Sequence, residues 1–459
     1  MVYKIIISGN SVIKFVIKNL FMTRTALIIL VFLSFYNRSF SQEEKKVWSL
    51  EDCLLYAEDH NLTITDALLD QAVAEVTYDQ SKLQKIPSIT GNISQSLTNG
   101  YSIDPITSSY INEQISSTSS YLNAQVSLFN GNKLNNQIAQ NKLLVQQSNL
   151  FVEEAKNNIG LSIIQSYLQA LYLKESISIA RKSLENSQQE TLLSKKRYEA
   201  GAIAKKDYSD ARSQEAKNQY ELLNARNNYS AEITFLKQLL NLPQSQQLEI
   251  SEPQETYLYP VPFSAEQIYL HSLQESPSIQ ASSMNIAISE KDIDIAKADF
   301  LPSLSLSGSL GSGYTSIQDM NFLDQYDLNF NQRVGLALSI PIFNQGATKA
   351  SVRKAEIRKE QANIALENSK NELYQNITTA WQNYTSAEEQ FNAAKLAIDA
   401  AKDSYQLASK QFEQGLINSA DLIVSQNNYT TAQQNHLQAK YMVILYSRLL
   451  NFYNTNQLY

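Results

Sequence analysis

The sequence is internally duplicated, and this constrains its fold more than any other property. Read from Trp48 and again from Phe263, the pattern recurs at a displacement of 215 residues. His60-Asn61-Leu62-Thr63-Ile64 lies over Glu275-Ser276-Pro277-Ser278-Ile279, and Ile86-Pro87-Ser88-Ile89 over Leu301-Pro302-Ser303-Leu304. Leu128-Phe129-Asn130-Gly131 matches Ile342-Phe343-Asn344-Gln345-Gly346 with one residue gained, and Tyr198-Glu199-Ala200-Gly201 matches Phe412-Glu413-Gln414-Gly415 at a displacement of 214. Register held this long means two copies of one structural unit. The expected division is a first repeat over 42–248, a linker over 249–262 and a second repeat over 263–459.

The N-terminus reads as an export signal over 1–41. Arg24 precedes the apolar run Ala26 to Leu33, and Ser39-Phe40-Ser41 offers small residues for cleavage. The run is too short to span a membrane as a helix. Met22 is an alternative start, since Met1 to Phe21 adds nothing a signal needs. Cleavage removes five basic residues and no acid, leaving 33 basic against 45 acidic residues and a net charge of −12. That argues against nucleic acid as partner, since a phosphate-binding surface needs a basic excess. Cys53, the single cysteine, excludes an intrachain disulfide. Its place inside a helical pattern argues against N-terminal lipidation.

Four segments carry a period of two. Ile89, Gly91, Ile93, Gln95 and Leu97 alternate with polar residues, as do Leu122, Ala124, Val126 and Leu128. In the second copy Leu304, Leu306, Gly308 and Leu310 interleave with serines, and Val334, Leu336, Leu338 and Ile340 with Arg333, Gly335, Ala337 and Ser339. The spacing predicts strands at about 88–97, 121–129, 303–310 and 333–342, each near the ten residues of a transmembrane β-strand. Two soluble hairpins packed onto helices fit the alternation equally well. The serine-rich, nearly uncharged polar face favours a water-filled lumen. Four strands cannot close a barrel, so a membrane reading requires several chains: two would give eight strands and three would give twelve. The stretches Thr98 to Ser120 and Gly311 to Gln332 read as solvent-facing loops.

The rest is helical. With 12 Gly and 9 Pro in 459 residues, helix breakers are scarce. From Lys133 to Ala200 and from Ala347 to Gln414 no proline occurs, which predicts helices of about 100 Å at 1.5 Å per residue. Ile377, Tyr384, Phe391, Ile398, Tyr405 and Phe412 recur every seven residues, with Ala380, Ala387, Ala394, Ala401 and Ala408 between them. This is a coiled-coil seam of large against small. The first copy keeps it more loosely, with Ile163, Ile177, Leu184 and Tyr198 against Ser166, Ala180, Ser187 and Ser194. Gly201 and Gly415 suit left-handed caps, after which second helices return from about Lys205 and Ser419. Each copy is thus a long helical hairpin, with tips near 201 and 415.

This architecture resembles the TolC family of outer-membrane efflux channels over essentially the whole mature chain. The residues that carry the resemblance are Pro87-Ser88 and Pro302-Ser303 before the strands, Leu128-Phe129 and Pro341-Ile342-Phe343 after them, and the tips Arg197-Tyr198-x-x-Gly201 with Asp207 and Phe412-x-x-Gly415 with Asp421. The resemblance implies a mainly α fold with a transmembrane β part. It implies a homotrimer with a 12-stranded β-barrel continued by a periplasmic α-helical barrel. It also implies a passive exit duct of a tripartite efflux or type I secretion system in a Gram-negative outer membrane, in contact with its lipid. A periplasmic adaptor and an inner-membrane pump of the RND, ABC or MFS type would supply it.

The family places a gate at the second tip, where aspartates of three chains ring the pore. Asp421 falls at the first ring position, and Val424 replaces an acid at the next. Ile417 stands where some members carry a latching arginine. Tyr198, Gly201, Asp207, Phe412 and Gly415 are the candidate tip contacts for an adaptor. The competing reading of Asp421 is a first-turn acid at a helix N-terminus, worth about 0.3–1 kcal/mol. His60, His271 and His436 lie far apart on helical patterns, and no catalytic motif, metal set or cofactor loop is present, so no enzyme, cofactor or metal is expected. The other class left open is a soluble periplasmic coiled-coil adaptor or spacer.

Overall fold

The computed structural model describes residues 47–103, 108–251 and 263–458. The expected signal peptide and most of the expected linker lie outside the described residues. The chain divides into two compact units. One, Met1–Val47 with Gln247–Glu249, holds only Val47 and the 247–249 segment among the described residues. The other, Trp48–Gln246 with Ile250–Tyr459, holds both repeats. In chain order its main elements are α1 (Leu50–His60), α2 (Leu62–Leu83), β1 (Ser88–Ile103), β2 (Tyr110–Asn130), α3 (Lys133–Glu199) and α4 (Lys205–Leu239) in the first repeat. The second has α5 (Ala265–Glu275), α6 (Pro277–Ala298), β3 (Ser303–Thr315), α7 (Phe322–Leu328), β4 (Asn331–Ser339), α8 (Ala347–Glu413) and α9 (Ser419–Thr455).

The four strands form one antiparallel sheet in the order β1-β2-β3-β4, so β2 and β3 join the two repeats. Leu122 lies opposite Leu310 and Val126 opposite Leu306, while Leu306 also faces Leu336 and Leu304 faces Leu338. Side chains alternate across a strand, so these rows share one face with Ile89 and Ile93. The other face carries the aligned Asn123, Ser309 and Arg333. Among the described residues no helix covers these rows: Ile93 is 81% and Leu336 67% exposed. This overturns the soluble-hairpin alternative, in which that face would be packed on helices. Among the described residues no helix is long and apolar enough to cross a membrane. The sheet alone presents a lipid-compatible surface, and its outer strands β1 and β4 are each bonded on one side only.

The strands differ from expectation in three respects. β1 and β2 run to 16 and 21 residues, because Thr98 to Ile103 pairs onward with Ile115 to Tyr110 where a loop was expected. Polar strands can complete a ladder in water as well as apolar ones can, so alternation of hydrophobicity underestimates them. A bulge between Ser127 and Phe129 puts Phe129, rather than Leu128, opposite Leu304. β4 stops at Ser339, before Pro341, which has no N–H to donate.

The helices follow the heptads closely. α3 and α8 are each 67 residues, about 100 Å long. In α8 the rows from Ile377 to Phe412 and from Ala380 to Ala408 are throughout buried or half-buried, against α9. Ile377, Ala380, Ile268 and Leu450 form one core cluster, ringed by Trp381, Tyr384 and Tyr453. In α3, Gly160 breaks nothing. A Cβ there would collide with the side chain of Leu458, so the glycine seats the C-terminal segment. Tyr167 is buried with its hydroxyl 2.7 Å from Ser251 O and 2.9 Å from Trp48 O. Burial pushes its phenol up to about 12, keeping it a donor.

Candidate functional site

Each hairpin tip is set by backbone chemistry. Gly201 and Gly415 have φ of +71° and +77°, which L side chains rarely adopt. They close Schellman caps: Ala202 N–H donates to Arg197 O at 2.8 Å and Leu416 N–H to Gln411 O at 2.9 Å. No atom lies within 4 Å of where a Cβ would stand at either glycine, so conformation rather than crowding requires them.

At the second tip Asn418 caps α9 by accepting from Asp421 N–H at 3.0 Å. Ile417 before the cap and Leu422 in the first turn share a cluster with Ala408 and Phe412, a hydrophobic staple that fixes how the chain enters α9. Ile417, expected at the latch position, is therefore part of the tip core. Phe412, expected as an adaptor contact, is 4% exposed and buried in the same core. Asp421 is exposed at the third helical position, and Val424, one turn on, is exposed beside it. At the first tip Tyr198 is partly exposed and stacks on Tyr208 at 5.8 Å. Asp207 Oδ1 accepts from Ser419 Oγ of the second tip at 3.4 Å.

The two tips are clasped by contacts that local pattern does not reveal. Arg197 donates from its two terminal nitrogens to Phe412 O and Glu413 O, both at 2.7 Å, and its guanidinium lies 5.0 Å from the centre of the Phe412 ring. It thereby satisfies the last carbonyls of α8 with a cation where the helix dipole favours one. Tyr405 donates to Glu190 at 3.3 Å, and Gln214 to Asn427 at 3.0 Å. Further along, Lys440 and Tyr441 meet Glu175 at 3.0 and 2.5 Å. The seam between hairpins is thus largely polar, and incompletely satisfied: Gln426 Oε1 and Ser194 Oγ are buried without a hydrogen-bond partner.

Glu190 gives this seam a pH dependence. Burial, only partly offset by the Tyr405 hydrogen bond, pushes its carboxyl from 4.5 up to about 7. The folded value exceeds the unfolded one, so its contribution is full below about pH 4.5 and is lost as pH rises through about 7. At 1.36 kcal/mol per unit, about 3 kcal/mol is at stake. Glu190→Gln removes the ionisation and is expected to unfold at a higher midpoint than the native chain at pH 8, with the gap closing near pH 4.5. Parallel thermal melts at both pH values would refute the assignment.

Known proteins match this arrangement. The family model "Outer membrane efflux protein" matches residues 56–242 and 268–448. The pyoverdine export outer membrane protein OpmQ of Pseudomonas putida is 26% identical over 295 residues, covering 63% of this chain and 61% of that protein. The alkaline protease secretion protein AprF of Pseudomonas aeruginosa is 24% identical over 227 residues, 47% of this chain and 44% of that one. The chain thus matches less than two thirds of these relatives' lengths. The CmeC outer membrane channel of Campylobacter jejuni shares the fold at a TM-score of 0.76 and 18% identity, covering 88% of this chain and 85% of that one. The sheet and both hairpin tips fall within the family match, and the chain belongs to the outer membrane efflux protein family.

Proposed function

We propose that the chain is the outer-membrane exit duct of a tripartite efflux or type I secretion system, passive in itself and assembled as a homotrimer. One observation carries this reading: an open four-stranded sheet with an uncovered apolar face and two free edges. In lipid such edges must be paired, and further copies of the chain supply the strands.

The internal duplication supports closure into a ring. α3 and α8 are equivalent at a displacement of 214 residues, and the contacts between tips join near-equivalent positions. Arg197 meets Phe412, the counterpart of Tyr198; Glu190 meets Tyr405, the counterpart of Thr191. Such a head-to-tail contact leaves one flank of each hairpin free to repeat it with another copy, and closes when the rotation completes a circle. Twelve strands give a lumen, lined here by Asn123, Ser309 and Arg333. An adaptor at the exposed parts of the tips, Tyr198 and the Gly201 and Gly415 turns, and an RND, ABC or MFS pump beyond it complete the pathway. The relatives OpmQ and AprF, named for export and for secretion, support an exit duct that serves either kind of system.

Asp421, exposed at the tip with a free flank, is the gate residue of this reading. In planar bilayers Asp421→Asn is expected to lower cation selectivity and weaken block by trivalent cations. Unchanged selectivity and unchanged block would leave Asp421 as a helix-terminal acid alone.

A further inference from the structure

Beyond Leu310 and Leu122 the apolar face of the sheet changes character, and a loop helix is folded against it. β4 begins at Asn331, opposite Gly311, so the last residues of β3 have no strand on that side. α7 fills the gap. Gln325, fully buried, accepts from Thr315 N–H at 2.9 Å and donates to Thr315 O at 3.0 Å, and Asn329 donates to Gly313 O at 2.8 Å. Side-chain amides thus replace the missing ladder and leave no bare edge. The stretch from Gly311 to Gln332, expected to be a loop in solvent, is built onto the sheet.

Two contacts fix the face. The Tyr326 hydroxyl lies 2.8 Å from Ser120 Oγ, and Ser312 Oγ donates to Tyr326 O at 2.5 Å. Tyr314 lies 5.3 Å from Phe322, which stacks on Tyr326 at 4.4 Å. Ser120, Ser312 and Tyr314 share the parity of Leu122 and Leu310, so all lie on the apolar face. Tyr121, of the other parity, lies over Gly311 on the opposite face. At about 100° per residue, Leu323 follows Phe322 to the outside of α7, where it is 76% exposed. Phe330 borders an open concavity of about 440 Å³ on this face, with Ile93, Leu122 and Leu310.

We propose that α7 and its flanks are a lipid-binding element rather than a lid on the pore. Phe322, Leu323, Tyr326 and Phe330 seat among the acyl chains of the outer leaflet, and the concavity beneath Phe330 takes the end of one chain. This rests on the reading of the sheet as a membrane wall. Lipid is the occupant because the patch continues the uncovered rows of Leu304, Leu306 and Leu310, which a bilayer must already cover. Its rings gather where those rows give way to Ser312 and Ser120, the level at which barrels carry aromatic girdles. Asp324 and Asp327 are exposed as well, and Asp327 lies one turn from Leu323 on the same face, which sets α7 at the headgroup boundary with its carboxylates in water.

The test uses the full chain in phosphatidylethanolamine–phosphatidylglycerol bilayers, in a Cys53→Ala background, with a nitroxide on Leu323→Cys. Collisions with oxygen, enriched in lipid, and with a water-soluble nickel chelate are compared with those at Leu336→Cys on the apolar face and Ser307→Cys on the polar face. Expected is a nickel collision rate several-fold below that of Ser307→Cys and an oxygen rate approaching that of Leu336→Cys. Phe330→Cys is expected to behave alike and covers poor folding of the first variant. Nickel access at both loop sites equal to Ser307→Cys, with Leu336→Cys still protected, overturns the lipid element and leaves the duct intact. Nickel access at Leu336→Cys as well would overturn both.

Discussion

Leu336→Arg is expected to abolish stable insertion of the sheet, whereas Ser307→Arg is expected to be tolerated. Leu336 sits in β4 opposite Leu306, exposed on the apolar face, while Ser307 lies one residue from Leu306 on the opposite face. An arginine facing lipid near the bilayer midplane costs about 2–4 kcal/mol per copy, and one facing a lumen costs little. With several copies in one barrel the penalty repeats and rivals the whole stability of an ordinary domain. The check is the fraction of each variant recovered in the outer membrane in heat-modifiable form. Equal recovery of the two variants would mean that the faces are not divided between lipid and water.

Arg197→Ala is expected to open the tips. The side chain makes two charge-assisted bonds to the last carbonyls of α8 and covers the Phe412 ring. Each bond to a charged donor contributes about 1.5–3 kcal/mol, and their loss takes the guanidinium from Glu413 O and leaves Phe412 O to the Gly415 N–H, at 3.0 Å. Even about 3 kcal/mol in total corresponds to roughly a hundredfold more frequent local opening. Hydrogen exchange should therefore accelerate around Gly415 and Leu416, with no change near Ile377 in the distant core. Arg197→Lys should recover only part of the effect, because an ammonium cannot span two carbonyls as the planar fork does. Identical exchange in Arg197→Ala and the native chain would remove Arg197 as a clasp.

These effects show where the sequence is informative. The heptad rows of α8 identify its covered face because coiled-coil packing repeats every seven residues, and nothing else imposes that period. Gly201 and Gly415 mark the tips because their backbone conformation excludes most other residues. The alternating rows identify the sheet faces, yet the bulge at Leu128 escapes notice, since one extra residue leaves composition unchanged. α7 escapes too: its seven residues carry no full amphipathic period, and Gln325 acts on backbone atoms ten residues away. The clasp by Arg197 and the Glu190–Tyr405 contact join residues 215 apart, beyond any local pattern. The displacement of the duplication was the available signal. In a ring of repeated units, neighbours sit at about the repeat distance, so positions 214–215 apart are candidates for contact.

The same rule specifies how one copy should meet the next. Within the chain Leu122 of β2 faces Leu310 of β3. Carrying that pair forward by one repeat sets Leu336 of one copy opposite Gln95 of its neighbour, both on the apolar face. The most direct measurement is disulfide formation between Gln95→Cys and Leu336→Cys in the doubly substituted chain, in a Cys53→Ala background, oxidised in the membrane and resolved in denaturing gels. The account predicts covalent products that end at three chains, with singly substituted chains giving none. A product that remains a single chain, or a ladder continuing beyond three, would contradict a closed twelve-stranded channel.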